Sequence, residues 1–295
     1  MSSILIGDNH LFMKLIKKRP VTSGSRHLIN IDKSLLLKTD KIFNTFLKHN
    51  YRNGRSSITG HITSWHRGGG CKSLYRNVES DGKNKFSLVL GVSYDPNRSA
   101  FVSNNFDLNS KKFYNSISVI NSLPGSLIKQ FENYEKSNRH LYTKNKQIMT
   151  GYRIRLQEIP VGSVINSISL IKNSKIKYAK SAGSRAQLIR IDKNYASVKL
   201  CTGKLLFLSK EAVANVGVIT NEQHNLIIYG KAGRKRHLNR RPIVRGIAMN
   251  PVDHPHGGRS NGGRHSCSPW GILTKGKFKL KKRKIINRKR KYESI

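Results

Sequence analysis

Four side chains near the C-terminal end of this 295-residue chain could bind a metal ion or transfer protons. His254 and His256 form an H-x-H pair, and His265 and Cys267 form an H-x-C pair. Imidazole nitrogens and a thiolate are suitable ligands for tetrahedral zinc. Asp253 directly precedes His254, and a carboxylate that orients an imidazole can make it a general base. These residues therefore permit one candidate function, that of a zinc-dependent enzyme that processes nucleic acid, which we keep as the alternative to the function favoured below.

The surroundings of these residues argue against catalysis. Adjacent residues in a proline-flanked loop rarely point at each other, and no serine or cysteine nucleophile is placed on the usual turn near His254. The spacing of the two pairs does not match a standard zinc finger, and Pro255 stiffens the first pair. We therefore predict that the chain is not an enzyme and that it has neither catalytic nor metal-binding residues.

The surrounding stretch, residues 236–271, is better suited to RNA. It is crowded with Arg, His, Gly and Pro and has almost no apolar run. Arginine forks bind phosphates through paired hydrogen bonds, and glycine pairs let the backbone approach a nucleic acid closely. Low hydrophobicity with high charge leaves too little apolar burial to offset chain entropy. We therefore expect this stretch to take its shape from a partner.

The charge of the whole chain indicates what that partner is. The sequence has 56 Lys and Arg residues against 15 Asp and Glu residues, a formal net charge of +41. Such self-repulsion is tolerable mainly when a polyanion neutralises it, which makes nucleic acid the leading partner. An anionic membrane is the other candidate, but no apolar run approaches the roughly 20 residues of a spanning helix. A long amphipathic stripe is also missing, so we predict no membrane partner.

Cysteine usage and the first residues bear on the compartment. Cys71, Cys201 and Cys267 are far apart and odd in number, which excludes a disulfide framework and fits a reducing compartment. Residues 1–20 carry Asp8, and their basic residues follow the apolar patch instead of preceding it. The start of the chain therefore resembles neither a secretory signal nor a transit peptide.

A second basic segment, residues 50–76, interleaves Arg, Lys and His with Tyr51, Trp65 and Tyr75 and contains three successive glycines. Basic side chains reach phosphates, aromatic rings offer stacking faces, and glycines permit close backbone approach. The segment predicts an RNA-binding surface. A glycine-rich surface hairpin with solvated charges is the alternative.

The rest of the chain has the pattern of short strands. A first small barrel is predicted from strands at 86–92, 100–103 and 117–120, and a second, of SH3-like size, from strands at 164–171, 186–191, 195–200, 204–208, 216–219 and 225–229. A helix is predicted from Ser126, with Leu127, Phe131 and Tyr134 on one face. The predicted organisation is an N-terminal extension (1–49), a first RNA-binding domain (50–151) with an insertion at about 106–151, a second barrel (152–235) and an extended basic C-terminal tail (236–295).

Several motifs resemble those of one family. GIAMNPVDHPHGG (246–258) and PWGILTKGK (269–277) resemble the C-terminal signature of the ribosomal protein L2 family. Other motifs resemble that family in the same order along the chain: NGRSSITGHITSWHRGGGCKSLYR (53–76), SYDPNRSA (93–100), IPVGS (159–163), SAGS (181–184) and KAGRKRHLNRRPIVRG (231–246). One departure is GGRSNGGR (257–264), where bacterial-type members have GGGEGR.

The resemblance implies a mainly β protein, with an OB-fold barrel followed by an SH3-like barrel and extended basic N- and C-terminal arms. It implies a structural constituent of the large ribosomal subunit that binds large-subunit rRNA and supports the peptidyl transferase centre and subunit association in translation. Its implied partners are that rRNA, neighbouring ribosomal proteins and, at the intersubunit face, the small subunit. No cofactor is expected, and Mg²⁺ or K⁺ ions at the RNA interface are compatible with this expectation.

His254 matches the family histidine that is discussed in connection with peptide-bond formation, and we assign it as an RNA contact. The residues that we predict to bind RNA are Arg52, Arg55, His66, Arg67, Lys72, Arg76, Arg98, Arg185, Lys231, Arg234, Arg236, Arg241, Arg245, His254, His256, Arg259, Arg264, Lys275 and Lys277. The Lys-, Asn- and Ile-rich composition, the diverged first barrel and the insertion favour an organellar ribosome, mitochondrial rather than plastid. Bacterial cytoplasm is a further alternative.

Overall fold

This computed structural model describes residues 15–37, 46–50, 54–79, 85–130, 149–171, 174–259 and 265–275. Over those ranges the chain is mainly β, as the sequence predicts. The strands are β1 (Leu15–Lys17), β2 (Ile29–Ile31), β3 (Leu47–His49), β4 (Leu74–Arg76), β5 (Lys85–Ser93), β6 (Val102–Asp107), β7 (Lys112–Ile117), β8 (Leu127–Gln130), β9 (Arg153–Arg155), β10 (Val164–Asn166), β11 (Ala186–Ile191), β12 (Tyr195–Leu200), β13 (Leu205–Ser209) and β14 (Val213–Val216). The helical elements are short: α1 (Ala232–His237) and 3-10 helices at Leu156–Glu158, Glu222–Leu226 and Gly246–Ala248.

The chain divides into two compact units, each made of two separate segments. Met1–Tyr51 and Lys72–Arg234 form unit 1, and Arg52–Cys71 and Lys235–Ile295 form unit 2. The glycine-rich part of the basic segment 50–76 therefore groups with the C-terminal stretch and not with the strands that follow it. The remaining predicted domain boundaries stay predictions.

Ten strands of unit 1 form one sheet in the order β13-β12-β11-β10-β14-β9-β8-β5-β6-β7. Neighbouring strands pair antiparallel, except that β8 and β9 pair in parallel where Gln130 lies opposite Arg153. That bridge connects a first strand set, β5 to β8, with a second set, β9 to β14. Two consecutive strand sets are what the sequence predicts.

The second strand set has an apolar core, to which β11 contributes alternate residues and β12 contributes from three successive buried positions. In β12, Ala196 and Val198 are buried and Lys199 is exposed. Val198 lies opposite Leu188 of β11 and Leu206 of β13, so three strands contribute to the same layer. Each such aliphatic side chain stabilises the fold by roughly 1.5–3 kcal/mol when fully buried.

The first strand set has a more polar interior. The Tyr114 hydroxyl donates to Ser87 Oγ over 2.8 Å and accepts from Gln130 Nε2 over 3.1 Å, and all three residues are buried. Burial raises the pKa of Tyr114 to about 12, so its hydroxyl stays a donor at neutral pH. Because polar side chains occupy interior positions here, the alternation of apolar residues is weak, and the predicted strand bounds are shifted from the observed ones.

The helix predicted from Ser126 is wrong over the described residues. Leu127–Gln130 is strand β8, which pairs with residues 85–88 of β5. This pairing buries Ile128 and Gln130, and such a tertiary contact outweighs a short helical pattern. Phe131 and Tyr134 lie outside the described residues.

Strands β7 and β8 lie within the segment predicted as an insertion, at about 106–151. Both strands belong to the sheet, so this segment contributes to the first strand set. Residues 131–148 lie outside the described residues. The insertion itself stays a prediction.

The described part of the N-terminal extension belongs to unit 1 and contacts later residues of that unit. Ile29 of β2 forms an isolated antiparallel bridge with Ile228. Ile228 lies in the strand predicted at 225–229, but the first two residues of that segment belong to the 3-10 helix Glu222–Leu226. The Leu37 amide donates to the Val92 carbonyl of β5 over 2.8 Å. A Cβ atom on Gly91 would collide with the Leu37 side chain, so this contact requires glycine.

Unit 2 is built on an antiparallel junction between residues 66–71 and residues 237–241. The junction is made of backbone hydrogen bonds from Arg241 to His66 (2.9 Å), from Gly68 to Asn239 (3.2 Å) and from Cys71 to His237 (3.0 Å). Two segments that the sequence assigns to different domains thus complete each other. These hydrogen bonds connect the start of the stretch 236–271 to residues 66–71. The expectation that this stretch takes its shape from a partner stays a prediction.

Asn239 is the centre of that junction. It is buried, its φ angle is +64°, and its Oδ1 accepts the Gly70 amide over 2.9 Å. A positive φ is tolerated by asparagine better than by most residues. A Cβ atom on Gly70 would lie 2.5 Å from the Asn239 backbone nitrogen, so the two segments can meet only if residue 70 is glycine.

No helix in the ranges given above is both long and apolar enough to cross a membrane.

We predict that Gly70→Ala destabilises unit 2 by about 1–3 kcal/mol, because the added methyl group overpacks against Asn239. Both tryptophans of the chain, Trp65 and Trp270, belong to unit 2, so tryptophan fluorescence during urea unfolding reports on this unit. The midpoint of that transition should move to lower urea.

The matched control is Gly233→Ala. Gly233 lies in α1, its φ is not positive, and an added Cβ there meets no atom within 4 Å. This variant should unfold at the same urea concentration as the natural chain or slightly higher. Equal midpoints for Gly70→Ala and Gly233→Ala would contradict the role assigned to the junction.

Candidate nucleic-acid interface

Most of the basic residues predicted to bind RNA are exposed. In unit 2 the exposed ones are Arg55, Arg67, Arg236, Arg241, Arg245, Arg259 and Lys275, whereas His66 and His256 are half-buried and His254 is buried. In unit 1, Lys72, Arg185 and Lys231 are exposed, and Arg76, Arg98 and Arg234 are half-buried. Arg52, Arg264 and Lys277 lie outside the described residues. RNA contact by each of these side chains stays a prediction.

Two arginines face each other across the junction of unit 2. Arg67 pairs with Arg240 in an antiparallel bridge, and both side chains are exposed. Like charges directly opposite each other on paired strands are destabilising unless an anion lies between or beside them. Arg240 is missing from the residues predicted from sequence, because its position opposite Arg67 depends on a contact between distant segments.

The ring of His66 is fixed next to this pair. His66 has a φ of +58° although it is not glycine, and its Nδ1 lies 2.9 Å from the Pro242 carbonyl oxygen. The Arg241 amide donates to the His66 carbonyl. A strained backbone held by two such contacts is typical of a residue whose orientation matters for function.

In unit 1, Asp95 holds two of the predicted RNA-binding arginines in place. Asp95 is fully buried, and its Oδ2 accepts Arg98 Nε over 2.7 Å while Arg76 Nη1 lies 3.9 Å from its Oδ1. Arg98 also donates to the Arg76 carbonyl over 3.3 Å. Asn97 donates its amide to Asp95 Oδ1, so the motif SYDPNRSA forms a turn closed on its own carboxylate. These arginines therefore contribute to the fold as well as to the surface charge.

A second cationic group in unit 1 includes a residue that sequence reasoning missed. Lys33 Nζ lies 3.5 Å from the centre of the Tyr94 ring. Burial lowers the pKa of Lys33, and the positive charge of Arg234 lowers it further. Arg234 itself lies over the Tyr229 ring, with its Cζ atom 5.7 Å from the ring centre. No motif marked Lys33, because it lies in the N-terminal extension far from its partners in sequence.

His254 is an internal residue of its own loop. Its side chain packs against Gly246, where an added Cβ would lie 2.7 Å from the ring Cε1 atom. His254 Nδ1 accepts the His256 amide over 3.0 Å, and the His254 carbonyl accepts the Gly257 amide over 2.8 Å. The imidazole therefore supports a turn that connects the 3-10 helix to the two glycines after it.

These contacts do not form a catalytic pair. The Nδ1 atom of His254 receives a backbone amide, whereas the side chain of Asp253 is exposed. A carboxylate that orients a catalytic imidazole must accept a hydrogen bond from its ring N–H.

The second His/Cys pair forms hydrogen bonds instead of a metal site. Cys267 Sγ lies 3.3 Å from His256 Nε2, and the Cys267 thiol lies 3.2 Å from the His265 carbonyl oxygen. Among the residues that the structure describes, no group of three or more His, Cys, Asp or Glu side chains is arranged to hold a metal ion. The zinc-dependent enzyme therefore has no support in the geometry.

Comparison with known proteins gives two family-model matches. Residues 44–117 match the model described as "Ribosomal Proteins L2, RNA binding N-terminal domain", and residues 149–271 match "Ribosomal Proteins L2, C-terminal domain". The first match includes the glycine-rich segment of unit 2 and the strands β5 to β7, and the second includes β9 to β14 and the His254 loop. The two L2 domains have the OB fold and the SH3-like fold, which confirms the predicted fold class.

Whole-chain relatives agree with these matches. The large ribosomal subunit protein uL2 of Orientia tsutsugamushi is 37% identical over 273 residues, covering 91% of this chain and 94% of the relative. The uL2 proteins of Rickettsia typhi and Rickettsia prowazekii are each 36% identical over 289 residues, covering 95% of this chain and 100% of the relative. These comparisons give no support to a zinc enzyme. The chain therefore belongs to the uL2 family of ribosomal proteins, as a structural, non-enzymatic constituent of the large ribosomal subunit that binds rRNA.

Proposed function

We propose that the junction of unit 2 is a principal phosphate-binding surface of this protein. The observation that carries the proposal is the exposed pair Arg67 and Arg240, which lie opposite each other on paired backbone. Arg241 extends the same segment and is also exposed. A fold that places like charges together in this way is stabilised by a polyanion and strained without one.

The other predicted residues add further phosphate contacts on each unit. The exposed ones among them include Lys72, Arg185 and Lys231 in unit 1 and Arg236, Arg245, Arg259 and Lys275 in unit 2. Contacts of this kind fix the register of a protein on RNA without reading its sequence. The net charge of +41 provides the long-range attraction.

We predict that binding to a large-subunit rRNA fragment weakens steeply with salt. Each neutralised phosphate contributes a slope of roughly −0.7 to −0.9 in log K against log salt. Removing both cations in the variant Arg67→Ala/Arg240→Ala should therefore reduce the magnitude of the slope by about 1.4 to 1.8. Filter binding or anisotropy from low to moderate salt measures it.

The control for this experiment is Arg67→Lys/Arg240→Lys, which keeps both charges and removes only the planar forks. Its salt slope should equal that of the natural chain, although its affinity should be lower because Lys cannot bind a phosphate through two parallel bonds. An affinity that stays flat with salt would overturn the proposal.

We further propose that the His254 loop supports the peptidyl transferase centre and that the protein promotes subunit association. The support is the resemblance of residues 246–258 to the family signature, together with the internal contacts of this loop. His254 fixes the loop through Gly246 and the His256 amide, so the imidazole positions the backbone and need not transfer a proton. The neighbouring ribosomal proteins and the small subunit are the proposed protein partners.

We predict that His254→Ala enters large subunits but lowers their rate of peptide-bond formation by roughly tenfold or more, because a displaced loop misplaces the groups next to it. Reconstituted particles are assayed for dipeptide synthesis and, in the same preparation, for the fraction that joins small subunits. The apolar core of unit 1 contains no part of this loop, so its thermal unfolding should not change.

The discriminating control is His254→Asn, because an asparagine Oδ1 can replace Nδ1 as acceptor of the His256 amide. Recovery of most of the rate by Asn would support a positioning role for His254. Full activity in His254→Ala would contradict the proposal, and a lower melting temperature of unit 1 would show that the loop belongs to its fold.

We propose that the ribosome containing this protein is mitochondrial, with plastid and bacterial cytoplasmic ribosomes as alternatives. The support is the Lys-, Asn- and Ile-rich composition, the diverged first barrel and the predicted insertion, while the bacterial relatives are compatible with the last alternative. Gradient sedimentation of subunits from purified mitochondria, plastids and cytosol decides among them. Absence of the protein from mitochondrial large subunits would end the mitochondrial assignment.

A further inference from the structure

The two tryptophans of the chain lie next to each other on unit 2. Their ring centres are 5.9 Å apart, and their planes meet at 79°, an edge-to-face arrangement. Trp65 keeps 51% of its surface exposed and Trp270 keeps 69%. Tryptophan is usually well buried, so an exposed pair on a highly charged unit indicates a binding site.

The backbone on both sides of the pair is held by hydrogen bonds. Trp270 lies at the tip of a hairpin in which Ser268 N donates to Ile272 O (2.8 Å) and Gly271 N donates to Ser268 O (2.9 Å). Pro269 precedes it and Gly271, with φ +77°, follows it, which is the sequence pattern of a type I turn with a bulge. The ring is therefore presented on a rigid tip.

Trp65 is presented from the other segment of unit 2. The amides of Thr63 and Ser64 both donate to the Gly54 carbonyl over 3.0 Å, which fixes the chain just before Trp65. His66, just after it, is fixed by its contact with the Pro242 carbonyl. The two rings are thus held in contact by two backbone segments that are far apart in the sequence.

Edge-to-face geometry leaves ring surface available. The ring that points its edge at its partner has both faces clear of that partner, and the exposed fractions show that solvent reaches both rings. Exposed cations belong to the same unit, including Arg55, Arg67 and Arg241. Flat aromatic faces combined with cationic side chains are what unpaired nucleotides require, since the bases stack and the phosphates pair with the cations.

We propose that Trp65 and Trp270 form a stacking platform for one or two unpaired bases of RNA. The proposal rests on the phosphate-binding function proposed above and adds to it a contact with bases. The exposed cations of unit 2 favour RNA as the occupant over a second protein, whose docking here is treated as an outcome of the test.

The experiment uses the full chain and two labelled oligoribonucleotides of equal length and equal phosphate number. One is single-stranded and carries bases, and the other is abasic. Anisotropy of the label measures binding, and intrinsic fluorescence measures stacking directly, because the chain has no tryptophan besides these two. The base-bearing strand should bind more tightly and quench the tryptophan emission, whereas the abasic strand should bind without quenching.

The variants Trp65→Leu and Trp270→Leu separate stacking from apolar bulk. Each should weaken binding of the base-bearing strand by about five- to 150-fold and leave binding of the abasic strand unchanged. Trp65→Phe and Trp270→Phe, which keep an aromatic face, should retain most of the affinity and also serve as folded references.

The outcomes distinguish this proposal from the one on which it rests. If both strands bind equally and neither quenches, the platform is overturned and phosphate binding stands. If neither strand binds, both proposals are overturned. If emission responds to a neighbouring ribosomal protein and not to the base-bearing strand, the pair is a protein-docking site and the platform is overturned.

Discussion

Two buried polar side chains, Asn239 and His254, hold unit 2 together. The apolar clusters of the described residues all lie in unit 1, where aliphatic side chains from several strands share a core. In unit 2 the packing around Asn239 and His254 takes that place, each against a glycine that leaves room for it. Directional hydrogen bonds fix a geometry well but contribute only about 0.5–1.5 kcal/mol each, so such a unit is specific in shape and modest in stability.

Binding of a polyanion offsets both the modest stability and the high charge of unit 2. A polyanion that binds the assembled form of unit 2 relieves the repulsion between Arg67 and Arg240 and stabilises the junction by mass action. Unit 1 does not need this help to the same degree, because its second strand set has an apolar core and Asp95 neutralises Arg98 internally. The chain thus combines a unit that resembles an ordinary globular domain with one whose stability depends on what it binds.

The sequence predicts the second strand set well and unit 2 poorly, and the reason is physical. In β11 burial alternates along the strand, and in β12 the apolar residues Ala196 and Val198 are buried, and the observed bounds of both strands equal the predicted ones. In the first strand set, buried Ser, Asn, Gln and Tyr side chains take the place of apolar residues, so the alternation that predicts a strand is weak. At β8, pairing with β5 outweighs a helical sequence pattern. The adjacency of Trp65 and Trp270 has no signal in sequence, since it depends on hydrogen bonds between segments that no periodicity connects. The family motifs identify candidate RNA-binding residues even where the sequence does not predict their three-dimensional arrangement.

The separation between Gly70 and Asn239 also governs the order in which the protein can be completed. These residues are 169 positions apart, and closing a flexible loop of that length costs about 4–5 kcal/mol. During synthesis the first segment of unit 2 emerges long before the second, because residues 72–234 of unit 1 are made between them. Once unit 1 folds, it shortens the effective loop between them. Folding of unit 1 therefore lowers the entropy cost of joining the two segments of unit 2.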